Sequence, residues 1–156
     1  MSRFVFRAIP TDIASAYQDG GPDAHGRPPE AHTGDEAPGP CRHCMTPIQG
    51  EAWLVLAHRP FSALQPYAET GPILVHARPC ERHPDTSEPP ALLLRARQLI
   101  VRGYSTDERI VYSTAAVITP DRLTETATTV FDCEDVAFAH VRYAATSCFA
   151  CRIDRS

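Results

Sequence analysis

The sequence has no lysine and no asparagine. Its 15 positive charges are all arginine, set against 19 acidic residues, and the net charge of −4 leaves no whole-chain basic field to recruit nucleic acid. Arginine in place of lysine suits phosphate or carboxylate recognition; codon bias in a GC-rich genome is the blander source of the same pattern. Long apolar runs are missing too, since no window approaches the roughly 20 residues of a membrane-spanning helix. The opening MSRFVFRAIPTD carries one short apolar run, Phe4 to Phe6, before charge and proline, which is not the pattern of a secretory leader. These absences point to the cytosol, where thiols stay reduced. The six cysteines then call for metal binding, reactivity or burial, and not for a disulfide framework. The GxxxxGK[ST] phosphate loop, the GxGxxG fingerprint, the GxSxG elbow and HExxH are all absent. DGGPDAHG is glycine-rich but has neither a lysine nor a following helix to hold phosphate. No DNA-reading motif is visible, and the carboxylates form no evident acid–base pair.

What is present describes one soluble globular domain over residues 1–156, with 43% apolar and 22% charged residues. RFVFRAI alternates and predicts a strand over Arg3–Ile9. Thr11 or Asp12 is placed to cap a short helix ending at Tyr17. Ten of the 22 residues from Asp19 to Pro40 are glycine or proline, which predicts a long loop without regular structure. EAWLVLAH and GPILVHA read as buried strands, and ARQLIVRGYS with RIVYSTAAVI as a hairpin around TDE. Thr119-Pro120 opens a helix carrying Leu123, Ala127, Val130 and Phe131 on one face. VAFAHVRY and CFACRI close the chain as two strands joined by AATS. The fold class is α+β: a mostly antiparallel sheet with one clear helix, one or two short ones and a long loop near the N-terminus.

Cys41-x-x-Cys44 has the spacing of one zinc half-site, in which two thiolates on a tight turn reach one tetrahedral ion. The other half is best sought in VHARPCERH, which offers His76, Cys80 and His83 just after a predicted strand. Spacing alone leaves His76 against His83 open. It also leaves open that these are loop thiols without metal, or a reactive pair. A thioredoxin-like role would need a helix start after the motif, and MTPIQG reads as a turn. The second pair, Cys148-x-x-Cys151, lies in a predicted strand, where side chains three apart point to opposite faces and cannot grip one ion without a bulge. A four-residue AATS loop pairs Tyr143 with Cys148 and sets His140 opposite Cys151; a slip of one puts His140 and Cys148 on a shared face. Either register brings a histidine near a thiol, so His140 and Cys148 are candidate catalytic residues. Arg142 and Arg152 could line an anionic pocket, although solvated strand charges are the simpler reading. Cys133, after a helix end, reads as packed, and His25, His32 and His43 as loop residues of no evident role.

CRHC, QGE, PYAETGPILVHARPC, VRGYSTDERIVY and AHVRYAATSCFACRIDR together resemble the small bacterial proteins catalogued as domain of unknown function 1203. The similarity spans nearly the whole chain. It implies one domain of this length, with counterparts of Cys44, His76, Cys80, His140 and Cys148 in related members, and it favours His76 over His83. The family has no assigned activity, so the resemblance implies no reaction. The expectation is a cytoplasmic module for binding or interaction, its loops clamped by a structural zinc on Cys41, Cys44, His76 and Cys80. The competing expectations are a thiol enzyme or redox sensor using Cys148 or Cys44 with a nearby histidine, and a zinc hydrolase with an open metal position. No partner is legible.

Overall fold

A computed structural model describes residues 3–34 and 36–156. The elements run β1 (Phe4–Arg7), α1 (Thr11–Gln18), β2 (Glu30–His32), β3 (Trp53–His58), β4 (Gly71–His76), β5 (Leu99–Tyr104), β6 (Ile110–Ile118), α2 (Leu123–Asp132), β7 (Phe138–Tyr143) and β8 (Phe149–Arg155). Single 3-10 turns precede β5, at Leu93–Arg95, and α2, at Pro120–Arg122. All pairings between these strands are antiparallel, so the fold is α+β and mostly sheet. No helix among the described residues is long and apolar enough to cross a membrane. The elements gather into two compact units, one of residues 1–7, 64–67 and 84–156, the other of residues 8–63 and 68–83.

The first unit is a five-stranded sheet in the order β1-β8-β7-β5-β6. Strand alternation puts Phe4, Phe6, Leu99, Val101, Ala139, Val141, Cys151 and Ile153 on one face, and all are buried. Helix α2 presents Leu123, Ala127, Val130 and Phe131, also buried, at the spacing expected from the sequence. Phe131 stacks on Phe4 with ring centroids 5.7 Å apart, so this helix covers that face. Each of the Leu, Val, Ile and Phe side chains contributes roughly 1.5–3 kcal/mol when fully removed from water. Gly103 marks the closest approach: a β-carbon there would lie 2.7 Å from Val136 Cγ2 and 2.8 Å from Thr114 Oγ1. On the opposite face one rung of the ladder carries Arg7, Arg152, His140 and Arg102 across four strands.

The terminal hairpin departs from both expected registers. Beside the turn the four-residue loop holds, with the Tyr143 N–H donating to the Cys148 carbonyl at 3.0 Å and Arg142 facing Phe149. A bulge then admits Ala150 as an extra residue, so that Val141 faces Cys151 and His140 faces Arg152. His140 is thereby set opposite an arginine and not opposite Cys151.

The second unit is built on a three-stranded sheet in the order β2-β3-β4. Leu54, Leu56 and His58 alternate inward along β3, and Ile73, Leu74, Val75 and His76 are buried along β4. The outer edge of β4 is capped by the loop at Cys41, which bridges Leu74 in parallel while the Arg42 N–H donates to the Leu74 carbonyl at 3.0 Å. Helix α1 begins at Thr11 with Pro10 as its cap, and neither Thr11 nor Asp12 caps it through a side chain. Thr11 already lies within the first turn, and its hydroxyl is engaged by His43, 2.9 Å away. The glycine- and proline-rich segment also differs from expectation, because it contains the short strand β2. Its Asp23 carboxylate accepts from the backbone N–H groups of His25 (2.9 Å), Arg27 (3.1 Å) and Ala57 (3.0 Å), which ties its first turn to β3.

Candidate metal centre

The four residues expected to form a clamp all belong to the second unit. Cys41 and Cys44 sit on a tight turn closed by the Cys41 N–H to the Thr46 carbonyl (3.0 Å) and by the Met45 N–H to the Cys41 carbonyl (2.9 Å). Met45 adopts the left-handed conformation, φ +59°, which curls the chain sharply enough to turn both sulfurs to one side. Pro40 and Pro47 bridge the base of the turn. The other half comes from the end of β4, which supplies His76, and from the irregular stretch after it, which supplies Cys80. Gln18 of α1 fixes that exit by donating from Nε2 to the carbonyls of His76 and Arg78, each at 3.0 Å.

The ligand atoms of Cys41, Cys44, His76 and Cys80 lie within 4.8 Å of one another. A tetrahedral ion with metal–sulfur bonds near 2.3 Å and a metal–nitrogen bond near 2.0 Å requires S···S of about 3.8 Å and S···N of about 3.5 Å. Cys41 Sγ lies 3.9 Å from Cys80 Sγ, and Cys44 Sγ lies 3.4 Å from His76 Nδ1. The cluster therefore has the donor set and the spacing to hold a metal ion. His83, the alternative histidine, is placed differently: its backbone N–H donates to the His43 carbonyl at 2.9 Å and pins the Cys80 loop to the Cys41–Cys44 turn.

Each sulfur has a polar neighbour in the surroundings. The buried His76 N–H points at Cys41 Sγ (3.4 Å), the Thr46 hydroxyl lies 3.1 Å from Cys44 Sγ, and His43 Nδ1 lies 3.1 Å from Cys80 Sγ. On its far side His76 Nε2 meets the Glu51 carboxylate at 3.4 Å, the carboxylate–histidine arrangement that orients a ligand ring. Electrostatics divides the thiols. A hydrogen bond from Cys41, with help from Thr46, holds Cys44 down to about 4. Donating that bond, together with burial, pushes Cys41 well above the usual thiol range. Burial and the neighbouring Cys44 anion push Cys80 up to about 11. These directions disfavour three thiolates side by side without a cation, and a bound divalent ion reverses that balance.

His43, dismissed on sequence as a loop residue, is 2% exposed and contacts this centre. Burial pushes its ring below the ordinary histidine range, which favours the neutral form. The signal for it was its position inside CRHC, between the two cysteines.

The other candidates lie in the first unit. His140 is fully buried, its ring 4.9–5.2 Å from those of Tyr104, Phe138 and Phe149. Cys148 precedes β8, and its thiol donates to the Thr146 carbonyl at 3.7 Å. The structure does not join this thiol to His140 by a hydrogen bond. Cys151 is buried in the sheet, Cys133 is half-buried after α2, and none of the six cysteines is in a disulfide. Arg142 is buried and donates from Nη1 to the Ser147 carbonyl at 3.0 Å, while Arg152 pairs with Asp154 at 2.8 Å and lies over the Phe138 ring.

Comparison with curated proteins and with solved structures finds no match to this chain. A family model does match, over residues 38–155, which takes in all four clustered residues and both terminal strands. That family is described as protein of unknown function (DUF1203), and the chain belongs to it.

Proposed function

We propose that the protein is a binding or interaction module of the reducing cytosol, clamped by one structural zinc ion on Cys41, Cys44, His76 and Cys80. The observation that carries the reading is the completeness of the site. Four protein donors lie within 4.8 Å of one another, two of their separations match those of a tetrahedral ion, each sulfur has its own hydrogen-bond partner, and the histidine has a carboxylate behind it. A full set of protein ligands leaves no coordination position for substrate, which separates structural from catalytic zinc. Hydrogen bonds to the sulfurs disperse their charge and make them poorer nucleophiles. Three thiolates and an imidazole in tetrahedral array favour zinc over harder ions, which prefer oxygen ligands. Zinc quantified in protein purified without a metal-affinity tag tests this: about one ion per chain is expected, and metal-free native protein rules it out.

We also propose that residues 1–156 behave as one cooperative domain. The chain passes between the two units four times, after residues 7, 63, 67 and 83, so neither unit is a continuous segment that could be excised. A single calorimetric unfolding transition is expected, and two separable transitions contradict it.

One observation favours a second reading, thiol chemistry at Cys44. This sulfur is half-buried, held as thiolate, and 3.4 Å from His76 Nδ1. On that reading native protein contains one thiol that alkylates far faster than the rest at neutral pH. On the zinc reading, Cys44 is protected until a chelator is added.

A further inference from the structure

We propose that His43 is a positioning residue for Cys80, donating from Nδ1 to the Cys80 thiolate while the Thr11 hydroxyl holds its ring in the matching tautomer, and that this pair sets how tightly the metal is held. The inference rests on the zinc reading above.

His43 is buried, and both of its ring nitrogens are engaged: Nδ1 lies 3.1 Å from Cys80 Sγ, and Nε2 lies 2.9 Å from Thr11 Oγ1. It is not one of the four clustered ligands. Two arrangements of the protons are available. With the proton on Nε2, the ring donates to Thr11 and presents a lone pair to Cys80, which requires a protonated thiol. With the proton on Nδ1, the ring accepts from the Thr11 hydroxyl and donates to Cys80. A metal-bound sulfur carries no proton, so loading the site selects the second arrangement, and Thr11 is placed to complete it.

Cys80 has particular need of this support. Cys41 and Cys44 share one tight turn, and His76 belongs to β4, whereas Cys80 lies in a stretch with no helix or strand of its own. That stretch is fastened to residues distant in sequence. The His83 N–H donates to the His43 carbonyl at 2.9 Å, and the Arg82 guanidinium donates to the carbonyls of Ala8 (2.8 Å) and Ile9 (3.1 Å). His43 is thus joined to the Cys80 loop twice, once through its backbone and once through its ring. Only the ring contact reaches the sulfur. Through Thr11, the start of α1 is linked to a metal ligand that it does not touch.

Three variants test the proposal: His43→Leu removes both ring contacts, His43→Asn keeps a donor where Nδ1 stood, and Thr11→Val removes only the tautomer partner. Zinc affinity is measured by competition with a chromophoric chelator, and the sulfur-to-metal band is recorded after cobalt substitution. His43→Leu is expected to bind one zinc per chain about 10–100-fold more weakly, the usual effect of losing an outer hydrogen bond at a metal ligand. Its cobalt band moves to longer wavelength, because a sulfur without a donor gives up charge more easily. His43→Asn recovers most of the affinity and the band position, and Thr11→Val falls between wild type and His43→Leu. Equal weakening in the Leu and Asn variants means that His43 only fills space and overturns the proposal, as does wild-type affinity in His43→Leu. If His43→Leu does not fold, unchanged affinity and band position in Thr11→Val overturn it. Metal-free wild-type protein overturns this inference together with the zinc reading, whereas zinc-loaded wild type with an indifferent His43 overturns this inference alone.

Discussion

The chain contains the same four-residue spacing twice, and the two copies come to opposite ends. Cys41 and Cys44 lie on a turn curled by a left-handed Met45, and their sulfurs meet His76 and Cys80. Cys148 and Cys151 bracket the start of β8, where Cys148 bonds back to its own turn and Cys151 is buried in the ladder opposite Val141. A Cys-x-x-Cys spacing therefore does not make a site by itself. A backbone that closes on itself between the cysteines does, provided that a second segment arrives with the missing donors. The bulge at Ala150 re-registers the terminal hairpin, and Cys148 stays bonded to its own turn.

The comparison breaks most visibly if the wrong pair proves to matter. On the zinc reading, Cys44→Ala and Cys80→Ala lose the metal. They forfeit a contribution of about 10 kcal/mol or more in small zinc modules, comparable to the whole stability of a domain, so their circular dichroism should show unfolded protein at 25 °C. Cys148→Ser should keep full zinc content and a melting temperature close to wild type.

Acid offers a subtler probe of the second unit, because the acid sensitivity expected of it does not rest on the thiolates alone. His58 is buried, with Nδ1 2.9 Å from the Tyr17 hydroxyl, and burial followed by the Arg42 charge lowers it to about 4. Its folded value lies below the unfolded one, near 6.5, so the unfolded chain takes up the proton first as pH falls. Stability is whole above about pH 6.5, falls between there and pH 4, and levels off below, for a loss of roughly 3 kcal/mol. Urea titrations of His58→Gln should lack that part of the slope, and a slope identical to wild type removes His58 from the account.

Smaller effects sharpen the picture of the other unit. Gly103→Ala pushes a methyl into Val136 and Thr114 and should cost about 1–3 kcal/mol by chemical denaturation, with zinc content unchanged. Cys151→Ala removes a buried sulfur and should cost about 1 kcal/mol, again without loss of zinc. A drop in metal content in either variant contradicts a site built from residues of the second unit alone.

Much of this was legible in the sequence where local pattern and tertiary outcome agree. EAWLVLAH and GPILVHA became β3 and β4 because apolar runs of strand length have little else to do, and Thr119-Pro120 opened the approach to α2 as its chemistry demands. The residues of the centre could be named as candidates because zinc chemistry needs few side-chain types in short spacings. What escaped was set by contacts distant in sequence. Strand β2 has no alternation of its own; β3 recruits it, and His32 stacks on Trp53 with ring centroids 4.5 Å apart. The bulge at Ala150 carries no glycine to announce it. Thr11 had the right residue type for a cap, but the chain turned helical one residue earlier and released its hydroxyl to His43. His43 itself depends on the junction of the Cys41 loop with β4, which no periodicity encodes.

The central claim is that three sulfurs and one imidazole nitrogen surround a single zinc. X-ray absorption at the zinc edge, on protein purified without a metal-affinity tag, tests it most directly. The account predicts about three sulfurs near 2.3 Å and one nitrogen near 2.0 Å, with one sulfur lost in Cys80→Ala if that variant retains metal. A shell of two sulfurs completed by oxygen, or protein with no zinc to measure, would contradict it.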